Sequence, residues 1–266
     1  MDGHACGVAP RRTGARAVIV PIVGDGPDLL DTLRDIREAG DVPLVGDRRL
    51  PAAHWSALAA LAAEAELPDD AAWATLTSGS SGTPRIVVRS AASWERSFGV
   101  VAALLDAGED AVVSLPAPPS ASLTLFSLAH ALAGGPRPRL EGLTIGGSGI
   151  DDPMASDVTC FHGTPPALRA VLDAGPPPRL RTALVGGSHL DAALRRRAEA
   201  AGLRVTAYYG AAELSFVALD TGEGLTPFPG VDVEVRDGVI WVRSPFVASG
   251  YIGAAGPLRS EDGWSS

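Results

Sequence analysis

Two hydrophobic periods alternate along the chain. Ala17-Val18-Ile19-Val20-Pro21-Ile22-Val23 is an apolar run of strand length, and after Gly24-Asp25-Gly26-Pro27 the positions Leu29, Leu30, Leu33 and Ile36 recur at helical spacing. Val42-Pro43-Leu44-Val45 predicts a second strand, residues 54–66 an Ala-rich helix carrying Trp55, Leu58 and Leu61, and Ala72-Trp73-Ala74-Thr75-Leu76 a third strand. Beyond a Gly/Ser loop and the apolar strand Ile86-Val87-Val88, the pattern predicts helices near 92–106 and 121–133 around a strand at 111–115. It then predicts strand 158–161, helix 165–173, strand 182–185, helix 190–201 and strand 203–208. Such alternation is the signature of an α/β fold, a parallel sheet with helices on its faces. Residues 134–157, rich in Gly, Pro and Asp, read as a mobile connection, and the Gly/Arg-rich residues 1–15 as loose. From Leu219 onward the period changes: Val231 to Val235 and Val239 to Val242 flank Arg236-Asp237-Gly238, a hairpin signal. The expected division is therefore an α/β core over 1–218 and a small β-rich subdomain over 219–266.

Composition narrows the function class. The 266 residues, 46% hydrophobic and 20% charged, suffice for one large core or two modest ones. A net charge of -9 argues against nucleic acid or an anionic membrane as partner, and the clusters Arg11-Arg12 and Arg195-Arg196-Arg197 read as solvated faces. Cys6 and Cys160 lie far apart with no metal-ligand spacing, and no apolar stretch of about 18 residues is present, so a cytoplasmic protein is expected. The sequence contains no lysine, which excludes Schiff-base chemistry and a Walker-type phosphate loop within it.

The chemistry-bearing stretch is Leu76-Thr77-Ser78-Gly79-Ser80-Ser81-Gly82-Thr83-Pro84-Arg85. Glycines allow close backbone approach, successive N–H groups and hydroxyls can converge on anionic oxygens, and Arg85 adds a forked cation, so the composition is that of a phosphate-gripping loop. It follows a strand, and ligands of open α/β sheets bind at the carboxyl ends of strands. Gly24-x-Gly26 lacks the third glycine of a dinucleotide fingerprint and reads as a turn. Gly79-Ser80-Ser81-Gly82 is not followed by Gly-Lys-Ser/Thr, and no Gly-x-Ser-x-Gly elbow occurs, which disfavours a P-loop NTPase and a serine hydrolase.

Three further stretches stand at strand ends: Gly186-Gly187-Ser188; Tyr208-Tyr209-Gly210-Ala211-Ala212-Glu213; and Ser244 to Tyr251, followed by Asp262-Gly263-Trp264. Together with Thr77 to Arg85 they resemble, in order and spacing, the motifs of the AMP-forming acyl-activating family, the acyl-CoA synthetases and their adenylating relatives. The wording over 209–213 and 228–251 most resembles short actinobacterial o-succinylbenzoate:CoA ligases. The resemblance implies the N-terminal core of the adenylate-forming fold and a ligase that attacks ATP with a carboxylate to give acyl-AMP. By the same resemblance Thr77, Ser78, Gly79, Ser80, Ser81, Gly82 and Thr83 wrap the phosphates. Gly186, Gly187 and Ser188 line the adenine and acyl pockets, Tyr209 stacks on adenine, and Tyr208, Gly210, Ala211 and Ala212 complete the nucleotide site. Thr77, Arg85 and Glu213 carry catalysis, with Thr77 and Glu213 holding Mg²⁺, and His162, Gly163 and Gly187 border the acyl substrate. The resemblance leaves the acyl acceptor open between CoA and a carrier-protein thiol, with an acyl carrier protein or a separate C-terminal lid domain as possible partners.

The chain also departs from that pattern. Arg85 stands for the usual lysine, Ala212 for a threonine, and Leu115-Pro116-Ala117-Pro118-Pro119-Ser120-Ala121 for a segment bearing a substrate-pocket histidine. Relatives continue past the Asp262-Gly263-Trp264 equivalent into a ribose-holding aspartate and a mobile domain with a catalytic lysine. The expectation is therefore a core without that lid: a piece of a longer enzyme, a core that borrows its lid, or a catalytically impaired nucleotide- or acyl-binding regulator.

Overall fold

The computed structural model describes residues 16–77, 85–140, 157–253 and 256–266. The alternating periods fold into two mixed sheets that share a layer of helices. In the first sheet β1 (Ile19–Val23), β2 (Val42–Gly46) and β3 (Ala71–Thr77) run parallel; β4 (Arg85–Ser90) and β14 (Gly250–Ile252) continue it antiparallel, in the order β1-β2-β3-β4-β14. In the second, β6 (Arg137–Leu140), β5 (Val112–Leu115), β7 (Cys160–Gly163), β8 (Thr182–Val185) and β9 (Arg204–Ala211) run parallel. The antiparallel β10 (Ser215–Asp220) and β11 (Leu225–Pro227) extend that sheet beyond β9. A four-stranded antiparallel sheet follows: β12 (Asp232–Arg236), β13 (Val239–Arg243), β16 (Trp264–Ser265) and β15 (Ser260–Glu261).

Helices cover the faces because the parallel strands are apolar on both sides. Leu58 and Ala62 of α2 (Ala52–Ala63) pack with Val42, Leu44, Ile86 and Val88 on the outer face of the first sheet. Leu168 and Leu172 of α5 (Pro165–Ala174) and Leu194 and Ala198 of α6 (Ala192–Ala200) cover the outer face of the second. Between the sheets lie α1 (Leu29–Glu38), α3 (Ala92–Leu105) and α4 (Ser122–Leu132), whose Leu33, Trp94, Phe98, Val101, Leu125 and Phe126 form the largest core. Phe228, Val231, Val242 and Phe246 from the C-terminal part join that same core.

Three expectations need correction. The stretch 134–157 contains β6, whose Arg137 and Arg139 pair with Asp157; Pro138 is tolerated because β6 is an edge strand. Arg195 is buried, because helical spacing from Leu194 and Ala198 turns it toward the sheet. The expected boundary between 218 and 219 falls inside β10, and β14 returns to pair with β4, so the C-terminal residues are built into both large sheets. Among the described residues no helix is long and apolar enough to cross a membrane.

Candidate active site

Parallel register brings the candidate loops of the second sheet to one edge. Gly163 pairs with Val185 and Val185 with Ala207, so Gly163-Thr164 and Gly186-Gly187-Ser188 leave the sheet at the carboxyl ends of their strands, while β9 runs on past that edge through Tyr208 to Ala211, paired with β10. The Gly186 N–H donates to the Gly163 carbonyl at 2.9 Å, and Gly187 takes a positive φ of 84° beside the exposed Ser188. A Cβ on Gly186 would lie 2.1 Å from the Tyr208 ring, so only glycine lets that strand end close over the tyrosine.

Tyr208 and Tyr209 point to opposite faces of β9. Tyr208 faces the middle layer, where its ring lies 4.7 Å from Phe216 and its hydroxyl meets His162 Nε2 at 3.0 Å. His162 Nδ1 in turn meets Ser127 Oγ at 2.7 Å. Burial, and secondly the proximity of His130, pushes the His162 imidazole down to about 3, so it is neutral, and burial also raises the Tyr208 phenol. The resemblance puts His162 beside a substrate. In the structure it is 0% exposed with both ring nitrogens engaged, a strand-end histidine satisfied within the core. Tyr209 lies on the other face, 43% exposed.

The stretch Gly210-Ala211-Ala212-Glu213 ends β9 and enters the 212–214 turn of a β9–β10 hairpin, a connection that sequence periodicity does not reveal. A Cβ on Gly210 would lie 2.1 Å from the Ser215 carbonyl oxygen, so glycine is needed for the close approach of the two strands. Ser215 sits at φ 59°, where the hairpin reverses. The turn projects Glu213 toward the first sheet. Tyr251 Oη donates to Glu213 Oε1 at 2.8 Å, and the Ala248 N–H donates to the Glu213 carbonyl at 2.7 Å. Tyr251 lies opposite Val87 in the β14–β4 ladder.

On the first sheet, Thr77 ends β3 and pairs across the ladder with Arg85, which starts β4. The chain between them, with Ser78, Gly79, Ser80, Ser81, Gly82 and Thr83, lies outside the described residues. Both of its anchors are therefore located, and Arg85 begins the strand against which Glu213 and Tyr251 are held. The Tyr251 phenol is pushed up to about 12, first by burial and then by Glu213, and the Arg85 charge acts against that rise. Arg85 and Glu213 thus each lie within electrostatic reach of Tyr251.

Among the described residues no group of three or more His, Cys, Asp or Glu side chains could hold a metal unaided. Magnesium is commonly bound by one or two carboxylates plus nucleotide phosphates, and the hard oxygens of Glu213 and Thr77 suit that mode. Sequence reasoning passed over Arg89 and Ser127, and it placed Tyr251 in a motif-bearing stretch without giving it a role of its own. The signal for Arg89 was present as one arginine interrupting the apolar run of β4, two positions in step with Val87 and Arg85.

The chain superposes on wild-type E. coli MenE bound to an m-phenylether-linked analogue of OSB-AMS with TM-score 0.77 and 20% identity, over 96% of this chain and 64% of that one. Bacillus subtilis o-succinylbenzoate CoA synthetase (MenE), in complex with the acyl-adenylate intermediate OSB-AMP, aligns with TM-score 0.77 and 16% identity over 93% and 64%. The Klebsiella oxytoca NpsA N-terminal subdomain, in complex with anthranilyl-AMSN, aligns with TM-score 0.72 and 18% identity over 89% and 76%. The chain thus spans about two thirds or less of the length of the MenE chains, and at these identities the likeness speaks for the fold. No curated protein matches it. The family described as AMP-binding enzyme matches residues 3–252, nearly the whole chain, and with its α/β architecture and strand-end loops this protein belongs to that family.

Proposed function

We infer that the chain is the nucleotide- and acyl-binding core of an AMP-forming acid–thiol ligase. ATP and a carboxylic acid meet at the carboxyl edge of the two sheets. A carboxylate oxygen attacks the α-phosphorus, the bond to the β-phosphate breaks, and acyl-AMP and pyrophosphate form. The Thr77–Arg85 loop grips the phosphate tail, with Arg85 offsetting charge that develops there. Tyr209 offers its exposed face to the adenine, beside Gly186, Gly187 and Ser188. Glu213 and Thr77 hold the nucleotide's Mg²⁺, which when bound neutralises the phosphate oxygens. In the complete enzyme the acyl group passes to CoA or a carrier thiol.

The observation that carries this reading is the placement of the Glu213 carboxylate, which comes from the second sheet, against β4 and β14 of the first, where the phosphate loop is anchored. Calorimetry tests it. ATP with Mg²⁺ should bind with millimolar or tighter affinity and weaken by about tenfold or more in Glu213→Ala. Absence of nucleotide binding by the wild type would remove the proposal.

A second reading, a nucleotide- or acyl-binding regulator without turnover, is favoured by Ala212 in place of the family threonine and by Arg85 in place of the family lysine. Pyrophosphate exchange with a panel of aryl and fatty acids separates the two. Exchange, alone or with a supplied C-terminal domain, excludes the inert reading.

A further inference from the structure

Arg89 carries a charge into the middle of the molecule and is 0% exposed. It leaves β4 on the same face as Arg85, four residues further along, a rigid spacing of about 13 Å. Its Nη2 donates to the Ala212 carbonyl at 2.6 Å, with the Glu213 carbonyl at a long 3.5 Å; its Nη1 donates to the Phe246 carbonyl at 3.2 Å and to Ser93 Oγ at 3.1 Å. The guanidinium lies 4.9 Å over the Trp94 ring, and its Nε, although buried, has no hydrogen-bond partner among the described residues. Burial pushes Arg89 down to about 9 while the Glu213 carboxylate acts against the shift, so the group stays charged and feels that carboxylate.

A buried, incompletely satisfied cation is a poor way to gain stability, since an apolar side chain of similar volume commonly does as well. What the arginine achieves is geometric. The carbonyls it grasps across the sheets belong to the two segments that fix Glu213: the turn that bears it, and the Phe246–Tyr251 segment, which supplies the Ala248 N–H and the Tyr251 hydroxyl. We propose that Arg89 is a positioning residue, a latch between β4 and the Ala212–Glu213 turn that sets the Glu213 carboxylate, with Tyr251 as second anchor, at a fixed place relative to the phosphate-loop ends Thr77 and Arg85. For its effect on nucleotide this rests on the function proposed above. For the organisation of Glu213 and Tyr251 it does not.

Two measurements test the latch in the full chain. First, ATP binding is measured by calorimetry with Mg²⁺ and with EDTA in wild type, Arg89→Lys and Arg89→Met. The Mg²⁺-supported gain in affinity should fall about tenfold in Arg89→Met and partly recover in Arg89→Lys, while binding in EDTA changes little. A strut without positioning function would lower the melting midpoint and leave the Mg²⁺ gain intact, which overturns the proposal. Second, without nucleotide, Glu213→Gln and Tyr251→Phe are combined in a double-mutant cycle read by melting midpoint, in wild-type and Arg89→Met backgrounds. The pair should be coupled in the first and additive in the second. Additivity in both, or equal coupling in both, overturns it. If Arg89→Met does not fold, the cycle is read in Arg89→Lys, whose single ammonium lacks the fork needed to hold both carbonyls. Wild type that binds no ATP but shows the expected cycle removes the proposed function and leaves the latch standing.

Discussion

Gly210 and the two buried histidines show how much depends on single side chains. The space where a Gly210 Cβ would go is taken by backbone, which cannot swing aside as a side chain can. Gly210→Ala should therefore cost about 2 kcal/mol in urea unfolding. Gly99, inside α3 with nothing near its would-be Cβ, is the contrast: Gly99→Ala should stabilise by up to about 1 kcal/mol. His130 is pushed down to about 4 and His162 to about 3, chiefly by burial, from an unfolded value near 6.5. Because the folded values are the lower ones, the unfolded chain takes up protons first. Stability is thus full above about pH 6.5 and is lost as pH falls through 4 toward 3. Melting midpoints should decline steadily from pH 6.5 to 4.5; a flat profile there would contradict the buried, neutral assignment. The periodicity marks residues 121–133 as a helix and His162 as lying near a strand end. Only packing shows that Ser127, His162 and Tyr208 form one hydrogen-bonded chain.

Elements are held by charges that a one-dimensional reading takes for surface. The run Arg195-Arg196-Arg197 looks uniform, yet helical spacing puts Arg195 on the buried stripe of α6. There it donates to the Val205 carbonyl of β9 at 2.9 Å and to the Asp220 carbonyl and carboxylate of β10 at 2.9 and 3.1 Å. It is the staple between a helix and the antiparallel extension of the second sheet. Arg195→Met should cost about 2 kcal/mol because three acceptors lose a charged donor. Arg196→Met, on the exposed side, should be neutral within about 0.5 kcal/mol. Equal effects of the two in chemical denaturation would refute the staple. The hairpin at Asp237-Gly238 was legible because its turn chemistry is local; both residues adopt positive φ, 50° and 76°. The hairpin at 211–215 was not, because it lacks an Asn-Gly or Asp-Gly signal and is made by close approach at Gly210.

At the scale of the molecule, one core joins what the sequence suggests are two parts. Leu33 of α1, Trp73 of β3, Phe126 of α4, Phe216 of β10, Val242 of β13 and Phe246 all belong to it. Loss of any one sheet would expose that core, so unfolding should be cooperative. Tryptophan fluorescence, reporting from Trp55 on α2, Trp73 and Trp94 in the middle and Trp241 and Trp264 in the C-terminal sheet, and far-UV circular dichroism should report one coincident urea transition. Two separated transitions would show that the C-terminal sheet folds independently. Local period and turn chemistry in the sequence alone determined the alternating α/β elements, the C-terminal hairpin and the strand-end loops, because each is encoded by residues a few positions apart. Tertiary structure alone decided that β14 crosses back to β4, that Arg89 reaches the Ala212–Glu213 turn, and that His162 is sealed in the core. Those outcomes depend on which remote surfaces meet, and no local pattern encodes such a meeting.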